Sequence, residues 1–145
     1  VKRKLLAELR SALEDNAPAV SDLLGLLQRP FTLGWMQDGR QGAAHCHAAE
    51  ERICLDYGWF RAHPDDVGAL SHEYTHLLQN VPGGTCPGEV IEGMADAVRY
   101  LLGQFDPSWW TPSPMASRIA GLAPQQRREL ANLMQAGRYG EFAWP

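Results

Sequence analysis

The chain has 145 residues, 45% hydrophobic and 21% charged, which are the values of one ordinary globular domain long enough to bury a core. Seventeen acidic residues against 13 basic ones leave a net charge of −4, which argues against nucleic acid or an anionic membrane as the main partner. No apolar run approaches the length of a membrane span.

Residues 2–15 place Leu5, Leu6, Leu9, Ala12 and Leu13 on one helical face. Asn16-Ala17-Pro18 is expected to break this helix and start a second over about 18–28, with Val20, Leu23, Leu24 and Leu27 inward. The chain starts at Val1, and Lys2-Arg3-Lys4 leads into an amphipathic helix rather than a secretory apolar core. The expectation is a processed form or a domain cut from something longer, with the compartment not readable from these residues.

From Phe31 the pattern changes. Phe31–Met36 suits a short strand, 37–42 a turn, 43–48 a second strand, and Arg52–Tyr57 a third after a tight connection at 49–51. His45 and His47 alternate with Cys46 and so share one strand face. A second metal site on that face lacks a further ligand at a fixed spacing, so the two histidines are expected at the surface or lining a cleft. This strand is better used as an exposed edge to which an extended peptide adds. The three cysteines are an odd set and imply no disulfide framework; Cys46 and Cys54 either pair across adjacent strands or remain free thiols.

The chemistry is concentrated in His72-Glu73-Tyr74-Thr75-His76. Residues four apart on a helix lie one turn above each other, so His72 and His76 aim two imidazoles at one point, as zinc requires. Glu73 sits beside them without having to bind the metal, which suits a general base acting on the water that the metal activates. The surroundings fit a helix. Pro64-Asp65-Asp66 starts it, Val67, Leu70, Tyr74, Leu77, Leu78 and Val81 form its buried stripe, and Asn80–Gly84 stops it.

A catalytic zinc keeps three protein ligands, so one carboxylate is missing. Residues 89–102 form a second helix, with Ile91, Met94, Ala95, Val98 and Leu102 as its core stripe. Glu92 is the chosen third ligand, with Glu89 and Asp96 as rivals. Asp96, one turn on, is placed to accept the second ring N–H of His72 or His76 and fix the tautomer. Gly93 and Ala97 are small and permit close approach to the neighbouring ligand helix. Trp109 and Trp110 are expected in the core, and residues 124–136 form a helix with Leu130, Leu133 and Met134 inward.

These residues resemble the gluzincin zinc metallopeptidases, which pair H-E-x-x-H with a downstream glutamate. More narrowly, His72–Gln79 followed by Pro87–Arg99, with its I-E-G-x-A-D-x-V-R block, is similar to the plant and bacterial basic secretory protein peptidases over about residues 50–112. The resemblance implies a zincin-like α+β fold, with a small mixed sheet and backing helices above a cleft floored by the H-E-x-x-H helix. It also implies Glu92 as third ligand and Asp96 as partner of a ligand.

The expectation is a single domain over 1–145: a helical part (1–28), a sheet (31–57), two ligand-bearing helices (65–104) and a C-terminal helical part (113–145). Its function would be that of a zinc-dependent endopeptidase acting on protein or peptide, with Zn2+ on His72, His76 and Glu92 and Glu73 as general base. Tyr57, His63, Tyr100 and Tyr139 are open candidates for an oxyanion donor. One rival is a toxin or effector protease with a narrow target, and another is a non-catalytic binding domain stapled by zinc. Cys86, on the loop between the two helices, is a candidate thiolate at the fourth metal position.

Overall fold

The computed structural model describes residues 1–37 and 42–145. Among these are six α-helices and one three-stranded mixed sheet. The N-terminal helix α1 (Lys2–Leu24) is continuous where a break was expected, and Pro18 lies inside it. Proline there removes one backbone hydrogen bond at a cost of about 3 kcal/mol. Leu9, Leu13, Ala17, Val20 and Leu24 form a single buried stripe running through the proline. Fully burying each large aliphatic stabilises by about 1.5–3 kcal/mol, so the stripe outweighs the lost bond. The helix ends at Gly25 in the left-handed region (φ 62°). Leu27 is therefore off the helix and 88% exposed, and Leu26 is buried in its place.

Strands β1 (Thr32–Trp35), β2 (Ala44–His47) and β3 (Arg52–Leu55) lie in the order β1-β3-β2. β1 runs parallel to β3 and β2 antiparallel to it, so the sheet is mixed, as expected. Residues 38–41 of the expected turn lie outside the described residues. The connection between β2 and β3 is a 3-10 turn (Ala48–Glu50) closed by Glu51 at φ 52°. Leu33, Ile53 and Leu55 point one way into the helical layer and are buried. Cys46 faces the same side, opposite Ile53, whereas Cys54 is opposite His45. The two thiols thus lie on opposite faces of the sheet and are free. The third strand stops before Tyr57 because the Asp56 carboxylate accepts from the Trp59 N–H and starts α2 (Tyr57–Ala62).

Next come α3 (Val67–Gln79) and α4 (Gly88–Leu101), then α5 (Pro114–Ala120) and α6 (Pro124–Gln135). α3 is central: it packs on α1, α4, α6 and β2. Its start is set by Asp66, whose carboxylate accepts from the Ala69 N–H and also from the Trp59 indole and the Arg99 guanidinium. Gly68 lets the chain after α4 approach, since a Cβ there would overlap the Gln104 carbonyl and the Arg99 side chain. Gly93, expected to admit α3, instead admits α5, for a Cβ there would lie 2.5 Å from Met115 Cγ. Trp109, expected in the core, is 48% exposed and stands edge-on to Trp59 beside Arg99. No helix among the described residues is long and apolar enough to cross a membrane.

Candidate metal centre

The two histidines sit in the middle of α3, one turn apart, with their Nε2 atoms 3.1 Å from each other. α4 brings Glu92 up to both rings: one carboxylate oxygen is 3.1 Å from His72 Nε2 and the other 3.0 Å from His76 Nε2. The other ring nitrogens are held from behind. His72 Nδ1 donates to Asp96 at 2.8 Å, and His76 Nδ1 donates to the Gln79 side-chain carbonyl at 2.8 Å. The Gln79 amide donates in turn to the Ile91 carbonyl at 3.1 Å. A carbonyl accepts only, so this second bond orients the Gln79 amide and with it the His76 tautomer. Both Nε2 atoms are thereby aimed at Glu92.

Two imidazole nitrogens and a carboxylate converging this closely, each ring fixed through its other nitrogen, fit a zinc or similar cation. Glu89 is exposed in the first turn of α4, away from this group, and Asp96 holds His72 from behind instead of joining it. Cys86 lies outside the cluster and directs its thiol at the Pro87 carbonyl. Gln79 is the contributor that sequence reasoning missed. Its signal was its position three residues after His76, on the same helical face.

Glu73 is buried beside the cluster, 8% exposed, with its carboxylate 3.9 Å from His72 Nε2. Burial pushes its carboxyl upward, the histidines oppose this, and the charges of Glu92 and Asp96 add to it. For His72, burial works against the charged ring, but the hydrogen bonds to Asp96 and Glu92 and the charge of Glu73 prevail and raise it to about 10. The hydrogen bonds from His72 and His76 hold the Glu92 carboxyl well below the usual range. Strand β2 lies over this helix, and its Cys46 is raised to about 12 by burial and then by the charge of Glu73.

None of the four candidate oxyanion donors has a hydrogen bond into the cluster among the described residues. Tyr139 accepts from the Trp144 indole, Tyr100 stacks on Phe105, Tyr57 stands edge-on to Trp35, and His63 stacks on Trp59.

The chain matches none of the curated proteins and none of the solved structures with which it was compared. Residues 60–120 do match a family model, BSP, described as a peptidase of plants and bacteria. The matched stretch runs from α2 through α5, so it contains every residue of the cluster and leaves the sheet outside it. That family is named as a peptidase, and the match supports the resemblance to the basic secretory protein peptidases carried by His72–Gln79 and Pro87–Arg99.

Proposed function

We propose that the chain is a zinc-dependent endopeptidase. The observation that carries this reading is the convergence of His72 Nε2, His76 Nε2 and the Glu92 carboxylate beside a buried Glu73. A zinc ion held by these three residues would act as a Lewis acid, polarising the scissile carbonyl and making water a better nucleophile. Asp96 and Gln79 keep the two imidazoles in the tautomer that presents Nε2. Glu73 takes the proton as water attacks and passes it to the leaving amine. Its upward shift suits a group that must both accept and return a proton.

Substrate lies along β2, whose outer edge is unpaired among the described residues and which stands over α3. A cavity lined by Trp59, His63, Ala69 and Trp109, with Asp56, Asp66 and Arg99 also on its wall, reaches α3 one turn before Glu73 and would take a bulky side chain of the substrate. A purely structural zinc is disfavoured because Glu92 is 60% exposed and structural sites are closed by four protein ligands.

The test is zinc content and cleavage of an unfolded protein, for wild type and Glu73→Ala side by side. Both should hold zinc, and the variant should cut about 10²–10⁴-fold more slowly. A variant that cuts as fast as wild type, or a wild type that holds no zinc, overturns the proposal.

A further inference from the structure

The outer face of the sheet carries a second cluster. Pairing of β2 with β3 sets His45 opposite Cys54 and His47 opposite Arg52, so both histidines and Cys54 project from the face turned away from the helices. The His45 and His47 rings are 4.8 Å apart at 83°, and one nitrogen of each lies within 4.8 Å of the other and of the Cys54 sulfur. All three residues are half-buried, in a hollow also lined by Gly34, Trp35 and Arg52. Gly34 is paired with Cys54 from the β1 side, and a side chain built on it would meet nothing. The sulfur is therefore open on that flank. The Arg52 guanidinium, which would repel a cation, is engaged by Glu50 at 2.8 Å.

From this geometry we infer that His45, His47 and Cys54 form a second zinc site, separate from the α3–α4 cluster. Two imidazoles and a thiolate are ligands for zinc and its softer neighbours, and they disfavour calcium and magnesium, which take oxygen. A tetrahedral zinc holds its ligand atoms about 3.5 Å apart, a distance these side chains reach by small rotations about their χ angles. The fourth position is left to water on the Gly34 side. Binding releases the Cys54 thiol proton to solvent as the zinc–sulfur bond forms. A sheet face that only met water would have no use for a cysteine set across from a histidine pair, since free cysteine behaves as a small hydrophobe. Bound zinc fastens β2 to β3, and β2 is the strand whose other face sets Cys46 near Glu73.

Cobalt(II) titration of the metal-stripped full chain is the test, because sulfur-to-cobalt charge-transfer absorption reports a thiolate ligand and the His72–His76–Glu92 cluster contains no sulfur. The band is expected in wild type, in Cys46→Ser and in Cys86→Ser, and should vanish on adding zinc. It should be lost in Cys54→Ser, and His45→Gln with His47→Gln should weaken cobalt binding at this site by about tenfold or more. Zinc should also shield Cys54 of the unaltered chain from alkylation, read by mass spectrometry, which requires no variant to fold. No band in wild type, a band that survives Cys54→Ser, or alkylation of Cys54 indifferent to zinc would each overturn the inference.

Discussion

Raising the pH of the metal-stripped chain from about 7 to about 8 should lower its unfolding free energy by about 1 kcal/mol. The source is His72, held at about 10 against an ordinary 6.5: burial opposes its charge, and the hydrogen bonds to Asp96 and Glu92 overcome that opposition. A raised histidine contributes stability that is whole below the unfolded value, and it is lost as pH climbs to the folded one. Between the two, the folded chain holds a proton that the unfolded chain has released, and each pH unit removes up to about 1.4 kcal/mol. The unfolded imidazole is still partly protonated near pH 7, which trims the first unit to about 1 kcal/mol. The thiols set the upper limit of the window. Cys46 is raised by burial to about 12 and Cys86 is raised by burial too, so above about pH 8.5 their unfolded forms ionise and steepen the fall. Urea unfolding followed by tryptophan fluorescence in chelator, at three pH values in this window, measures the slope. His72→Gln should flatten it. A flat profile in wild type, or an equal slope in His72→Gln, refutes the assignment.

Asp96→Ala should weaken zinc binding at the α3–α4 cluster by about 10–100-fold, because the His72 ring loses its orienting acceptor. Competition with a chelating dye measures this. Gln79→Leu should cost about tenfold in the same assay, through His76 and through the lost tie to the Ile91 carbonyl. Unchanged affinity in either variant would remove that residue from the design of the cluster. Gly68→Ala should destabilise by about 1–3 kcal/mol in urea unfolding, since the added methyl meets the Gln104 backbone. Gly93→Ala should cost less, because the Met115 side chain it meets can move; the reverse ranking would contradict the packing described.

What the sequence made legible was local. The spacing of His72 and His76, the Asp66 start of α3 and the step from Glu92 to Asp96 all follow from helix geometry, and the structure has each at its expected place. The short strands were found within a residue or two at each end, and the third was overrun because the Asp56 cap was not recognised. What stayed hidden depends on partners distant in the chain. Pro18 looks like a break until α1 is seen buried along its length. Gly93 looked like a contact for α3 because the path of α5 across α4 cannot be read from spacing alone. Cys54 joins His45 and His47 only through the β2–β3 register, which pairs residues with no periodic relation in sequence.

Both ends of the helix that bears the histidines are fastened by arginines from other parts of the chain. At its start, Arg99 holds the Asp66 cap at 3.1 Å in a buried pair. At its end, Arg29 donates to the Leu77 carbonyl at 2.6 Å and Gln135 donates to the Leu78 carbonyl at 3.0 Å. The last turn, where helices ordinarily fray, is thus occupied by side chains. Amide exchange along α3 should accordingly run at the rate of whole-chain unfolding, with no faster local opening. A cation would then enter and leave the cluster without help from backbone motion. The solvent-facing partner is Glu92, 60% exposed where the two histidine side chains are 16% exposed, and its side chain is the one with room to turn out into water. The lifetime of a bound metal would be set by that one carboxylate.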